Sequence, residues 1–307
     1  MREKIKFILS FLIILLFLPY ICVVLFHNNV QAENVFFSIG NSTVEENNMD
    51  SELFVAGVLA SQMPVSYEKE ALKAQAVIAR TQIYRMMEDK GIKDLEAEDL
   101  PQYMSISEME KVWGYSKMQD YYSKLKEAVT ETQGIIMKYK GKCIEPSFHA
   151  VSNGNSRSGN EVYHSEDYPY LTKVDNPYDI LSEDYLKVIM ISKEELAEKM
   201  NQEFGSNLLA ESILNQINVK SKDGAGYVTN VQIGECTMAG EEFRKILDLN
   251  SSCFIIEESE GKIRITTKGL GHGIGLSQFN ANEMAKNGDD YQKILNYYFK
   301  NIELVNE

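Results

Sequence analysis

The hydrophobic and polar positions divide the chain into a short apolar lead and a long mixed remainder. Phe7 to Phe26 is almost wholly apolar and has about the length (~20 residues) that spans a bilayer as a helix. Arg2, Lys4 and Lys6 precede it, which favours a cytoplasmic N-terminus. The pattern thus predicts a cytoplasmic stub (1–6), an anchor (7–26), a polar, acidic linker (27–50) with one strand at Val35 to Ile39, and an extracytoplasmic domain (51–307). A signal peptide cleaved after Val30-Gln31-Ala32 is the alternative.

Within the domain, Glu52 to Ser61 reads as a helix leading into a longer one that ends near Lys90, with Pro64 and Ser66 as start signals and Ser66 as N-cap. At 100° per residue, Leu72, Ala76, Ala79 and Ile83 share one face. Glu70, Ala74, Val77, Thr81 and Tyr84 share the opposite one. Such a helix is buried on two sides, and its one carboxylate in that row points into a groove or interface. Gly91 to Ser105 reads as a loop. Helices follow at Ser107 to Trp113 and Gln119 to Thr132.

The period then shortens to that of strands. Hairpins are predicted with turns at Lys140-Gly141-Lys142 and Glu260-Gly261-Lys262, and strands at Pro146 to Gly154, Tyr168 to Val174 and Tyr227 to Glu235. Further helices are predicted at Ser192 to Glu203, with a capping box, and at Asn207 to Gln216, Gly240 to Leu247, Ser277 to Asn287 and Asp290 to Lys300. Helices at both ends with strands between predict an α+β fold: a central antiparallel or mixed sheet flanked by helices, in two lobes with a groove, the smaller lobe about 180–265.

Composition narrows the partners. The 307 residues carry a net charge of −14, which argues against nucleic acid, since phosphate binding needs a basic patch. Beyond the anchor the cysteines are Cys143, Cys236 and Cys253. Their odd number and the lack of a CxxC pair favour reduced thiols over a disulfide framework or a cysteine zinc site. Cys143 and His149 are too few for a metal site, so none is expected.

Three stretches carry candidate chemistry. Glu70 suits a general acid in a desolvated groove; spacing alone favours the plainer reading, a first-turn Glu that complements the helix dipole or pairs with Lys73. Glu68 is its nearest rival. Gly269-Leu-Gly-His-Gly-Ile-Gly-Leu-Ser-Gln278 brings backbone close to something, either a ligand or simply a tight turn. No Walker pattern follows it. Ser147 to Gly154 and Pro169 to Val174 put polar groups at a strand end beside Tyr170, which suits either sugar binding or loop and core packing.

Glu70-Ala-Leu-Lys-Ala-Gln-Ala-Val-x-Ala-Arg-Thr81, the glycine run and, more softly, the two middle stretches resemble the stage II sporulation protein D family in the same order, across about residues 52–300. The resemblance implies a membrane-anchored lytic transglycosylase with no cofactor. Such an enzyme cleaves the MurNAc–GlcNAc linkage of peptide-stripped peptidoglycan glycan strands and leaves 1,6-anhydro-MurNAc ends, in engulfment of the forespore during sporulation. It implies Glu70 as the single acid/base, and Arg80, Ser152, Tyr170, His272, Ser277 and Gln278 as substrate-binding residues. It also implies stage II sporulation proteins P (an amidase) and M as partners at the cell membrane. The chain departs from the family pattern at Gln62, where relatives often have Glu. Gln102-Tyr103 matches a family Gln-x-Tyr only in part, and the loop around it lacks the Cys and His that bind zinc in some relatives. A non-catalytic amidase enhancer on the same fold is the alternative function; a metal-dependent wall hydrolase is disfavoured by the missing ligand clusters.

Overall fold

A computed structural model describes residues 51–92, 102–204 and 207–307. The expected anchor, linker strand and cleavage site, and most of the loop expected at 91–105, lie outside the described residues. Residues 52–307 form one compact unit.

Helix α1 is Ser51–Gln62 and α2 is Lys69–Lys90. Helix α2 starts later than Ser66 because a turn closes first, with Tyr67 N–H donating to Pro64 O at 3.0 Å. Glu68 is its N-cap without a side-chain cap bond, and the Glu68 N–H donates instead to Asn282 Oδ1 at 2.7 Å. Small residues let neighbours approach on nearly every side: Ala71, Leu72, Ala74, Ala76, Val77, Ile78, Ala79 and Ile83 are all buried. Gly91 ends the helix in the left-handed conformation, φ 64°.

Helices α3 (Ile106–Trp113) and α4 (Tyr115–Thr130) follow. A capping box of Ser105 and Glu108 starts α3. The chain continues through β1 (Ile135–Tyr139), β2 (Lys142–Cys143), β3 (Phe148–His149), α5 (Gly159–Tyr163), β4 (Leu186–Ile191), α6 (Lys193–Phe204), β5 (Ile217–Lys222), β6 (Val228–Ile233), β7 (Cys236–Ala239) and α7 (Gly240–Ile246). It closes with β8 (Phe254–Ser259), β9 (Lys262–Lys268), β10 (Leu276–Ser277), α8 (Gln278–Lys286), α9 (Tyr291–Tyr298) and β11 (Glu303–Asn306).

The fold is mixed α and β, but the single central sheet is replaced by four small ones among the described residues: β11-β1-β2, β10-β3, β4-β9-β8 and β5-β6-β7. All pairings are antiparallel except β3 with β10. Both hairpins turn at the expected places, on Lys140-Gly141 and Glu260-Gly261, each residue with positive φ. The expected strand at 168–174 is instead a loop held by isolated bridges, Leu171 to Phe299 and Asn155 to Asp175. Its neighbours are single residues rather than a free sheet edge, so no ladder extends. The expected helix at 207–216 is reduced to short turns, Ala210–Ser212 and Ile213–Gln216. Sheets β4-β9-β8 and β5-β6-β7 share a hydrophobic cluster with α6 and α7, including Leu196, Met200, Val231, Phe243, Phe254 and Ile265.

The pairing that matters most for the site is β3 with β10. It sets Leu276 beside Phe148 and Ser277 beside His149, and bridges extend it at Val151–Leu270 and Arg157–Ile274. The Ser/Asn/Gly stretch and the glycine run, more than a hundred residues apart in the chain, are thereby zipped together.

Candidate active site

Glu70 is the second residue of α2. Its side chain is 30% exposed, and both oxygens accept hydrogen bonds. Lys73 Nζ donates to Oε1 at 2.7 Å, and the main-chain N–H of Tyr291, first residue of α9, donates to Oε2 at 2.9 Å. The starts of two helices therefore meet at one carboxyl, and each presents a partial positive charge to it. Lys73 lies 5.5 Å from the Tyr291 ring centroid and also binds Glu131 at 2.7 Å, just past the end of α4. Glu131 in turn pairs with Lys69. Burial opposes the charge on Lys73, but its bonds to Glu131 and Glu70 raise its pKa. Hydrogen bonds from Lys69 and Lys73 hold Glu131 below the usual carboxylate range. The rival Glu68 is exposed.

Glutamines tie this helix to its surroundings. Gln75 Nε2 donates to Gln62 Oε1 and Gln62 Nε2 to Gln82 Oε1, both at 2.9 Å. Gln278, at the start of α8, is buried and donates to Gln62 O at 2.7 Å and Gln75 Oε1 at 3.3 Å. Its amide is spent joining the glycine run to α1 and α2.

The glycine run is shaped by close packing. A Cβ on Gly275 (φ 72°) would lie 1.9 Å from Ser147 O, and one on Gly271 (φ 112°) 2.9 Å from the His149 Cβ. The backbone comes close to β3 itself, which explains the glycines without a phosphate. His272 is partly buried, and its Nδ1 accepts from Ile274 N–H at 3.1 Å; burial lowers its pKa. His149 stands 6.0 Å away, ring centroid to centroid. Its Nδ1 lies 3.1 Å from Ile274 O. A carbonyl only accepts, so Nδ1 carries the proton and Nε2, buried without a hydrogen-bond partner among the described residues, does not. Burial pushes the His149 pKa down to about 3.

Ser152 and Ser277, both fully buried, meet at Asp179. Ser152 N–H donates to Asp179 Oδ2 at 2.7 Å, and Ser277 Oγ lies 2.8 Å from both carboxyl oxygens. Burial outweighs these bonds and raises the Asp179 pKa to about 6. Asn176, Asn280 and Tyr298 continue the network. Nearby, the buried Arg157 reaches Asp223 at 2.5 Å, Glu241 at 3.0 Å and His272 O at 3.1 Å, fastening the glycine run to the β6 side.

The expected sugar-binding residues therefore do not line one surface. Ser152, Ser277 and Gln278 belong to buried networks, and His272 remains partly accessible. Tyr170 is buried, its hydroxyl accepting from Glu145 N–H at 2.9 Å. Arg80 is 1% exposed, bonded to Glu52 through Nε at 2.9 Å and Nη2 at 2.5 Å, and to the carbonyls of Ile135 and Val129. It lies ten residues and so about 15 Å along α2 from Glu70. Sequence reasoning missed Tyr291, Glu131, Asp179 and Arg157. None stands in a local pattern that separates it from ordinary loop or helix-end chemistry.

A family model described as SpoIID, stage II sporulation protein, matches residues 40–139. Stage II sporulation protein D of Bacillus amyloliquefaciens is 36% identical over 275 residues, covering 87% of this chain and 77% of the relative. The protein of the same name from Bacillus subtilis (strain 168) is 36% identical over 278 residues with the same coverage. A Bacillus subtilis (strain 168) protein named amidase enhancer is 26% identical over 300 residues, covering 81% of this chain and 40% of the relative.

Proposed function

The chain belongs to the stage II sporulation protein D family, and from that premise we propose that it is a lytic transglycosylase of peptidoglycan with Glu70 as its acid/base. The observation that carries this reading is the placement of Glu70: a partly exposed carboxyl, fixed by Lys73 and the Tyr291 N–H, in the segment that the family model covers. Among the described residues no group of three or more His, Cys, Asp or Glu is arranged to hold a metal ion, and the proposed chemistry uses none.

A protonated Glu70 gives its proton to the O4 of the leaving GlcNAc as the C1–O4 bond breaks. The carboxylate so formed takes the proton from the C6 hydroxyl of the same MurNAc. O6 closes onto C1, leaving a 1,6-anhydro end and consuming no water. Both Glu70 oxygens are engaged in the resting arrangement, so the cycle requires one contact to open. Peptide-stripped strands are the proposed substrate, in forespore engulfment, with stage II sporulation proteins P and M as partners. The proposed location is the membrane, through residues 7–26; among the described residues no helix is long and apolar enough to cross it.

Digestion of peptide-free glycan strands tests the reading. Wild type releases anhydro-ended fragments, and Glu70→Gln, which keeps the shape and loses the acid, falls at least about a hundredfold, the usual scale of acid/base catalysis. The similarity to an amidase enhancer supports a second reading. If wild type releases no anhydro ends yet stimulates an amidase, that second reading stands and the transglycosylase falls.

A further inference from the structure

The end of β1, the end of α5 and the loop after α5 bring together a row of tyrosines that the acid/base chemistry does not use. Tyr163 and Tyr168 lie 4.4 Å apart, Tyr168 and Tyr170 6.4 Å, and Tyr170 and Tyr139 5.5 Å, measured between ring centroids. The inner ring, Tyr170, is buried and its hydroxyl is pinned by Glu145 N–H. The outer ones are not: Tyr163 is 39% exposed, and Tyr168 and Tyr139 are half-buried. Three of the four rings therefore present a face or edge to solvent. Beside them Arg85 pairs with Glu145 at 2.6 Å, both partly exposed.

We propose that this tyrosine row, with the Arg85–Glu145 pair at its edge, is a remote subsite that stacks sugar rings of the glycan strand. It rests on the glycan substrate proposed above. Aromatic faces pack on the C–H faces of pyranose rings with little entropy cost, since tyrosine has two side-chain torsions and here the base ring is fixed. The pair offers a donor fork and an acceptor for hydroxyl or N-acetyl groups. Its position relative to Glu70 suits a strand. Helix α9 begins with Tyr291 N–H on Glu70 and is followed by Lys300 N–H on Tyr170 O at 2.9 Å. Nine residues at helical rise span about 14 Å, enough for several sugar rings between the acid and the stack. A strand held at both ends would gain affinity that a short oligosaccharide lacks.

Equilibrium binding of labelled, long peptide-free glycan strands to the full chain carrying Glu70→Gln, which binds without cutting, tests the subsite. Adding Tyr163→Ala or Tyr168→Ala weakens binding by about three- to tenfold each, the scale of one aromatic contact, whereas Tyr163→Phe keeps the ring and the affinity. Thermal melting confirms that each variant is folded, and Tyr115→Ala, removing an exposed tyrosine on α4, is the comparison. If the alanine variants bind like their parent, or if Tyr115→Ala weakens binding equally, the subsite is wrong while the Glu70 reading stands. If the parent binds no glycan, the substrate reading itself fails and takes the subsite with it.

Discussion

Tyr291 stands 221 residues beyond Glu70 in the chain, yet its N–H donates to Glu70 Oε2 at 2.9 Å. That bond and the one from Lys73 set the direction of the carboxyl before any substrate arrives. Orientation of this kind is worth large rate factors, since a misplacement of about 1 Å costs on the order of a hundredfold. Lys73→Met, which keeps the apolar stem and removes the ammonium, is expected to lower kcat for glycan cleavage about tenfold or more while shifting KM little. Stability falls by only about 1 kcal/mol, as for a partly exposed ion pair. Steady-state kinetics with a parallel denaturation curve separates the two effects.

The glycine run supplies a contrast between two positions of like conformation. Gly275 and Gly288 have φ of 72° and 92°, but only at Gly275 would a Cβ meet backbone, at 1.9 Å from Ser147 O; at Gly288 nothing lies within 4 Å. Gly288→Ala therefore costs about 1–2 kcal/mol of backbone strain. Gly275→Ala adds a collision with the backbone just before β3 and is expected to prevent stable folding, visible as loss of the cooperative thermal transition.

Arg80 is where sequence expectation and structure part most clearly. The resemblance implies contact with substrate, whereas its guanidinium is buried between Glu52 and the carbonyls of Val129 and Ile135. Arg80→Met is expected to destabilise the fold by about 3–5 kcal/mol, as for a broken buried pair. At a temperature where the variant remains folded, its affinity for glycan should equal that of wild type. A selective loss of affinity with unchanged melting would return Arg80 to the binding site.

Two buried groups pull the acid stability in opposite directions. His149 has a folded pKa of about 3 against an ordinary 6.5. Its stabilising contribution is present above pH 6.5 and is lost as pH falls toward 3, because only the unfolded chain takes up the proton. Asp179 has a folded pKa of about 6 against 3.8. Its contribution is fully present below pH 3.8 and is lost as pH rises through 6. Between about pH 4 and 6 the two slopes cancel. Asp179→Asn removes one of them, so the variant should lose stability on acidification more steeply than wild type, by up to about 1.4 kcal/mol per pH unit. Urea midpoints across pH 4.5–7.5 measure the difference.

Much of this was legible in the chain itself, wherever the cause is local. Good helix formers and small apolar residues from Lys69 to Lys90 specify α2. Gly91, Gly141 and Gly261 mark stops and turns through their positive φ, and Ser105 with Glu108 marks a helix start. Glu70 stands out in the sequence as the lone carboxylate on an otherwise small and apolar face.

What tertiary structure alone decided are the meetings of distant segments, whose partners no local spacing encodes. Strand β11 pairs with β1, Ile135 opposite Asn306. Ser152 and Ser277 face each other across Asp179 within a buried network. Glu70, which spacing alone reads first as a complement to the helix dipole or a partner for Lys73, is held by Lys73 from within its own helix and by Tyr291 from another. The first contact follows from a three-residue step along a helix. The second exists only because α9 packs its first turn against that of α2, and that packing is a property of the whole fold.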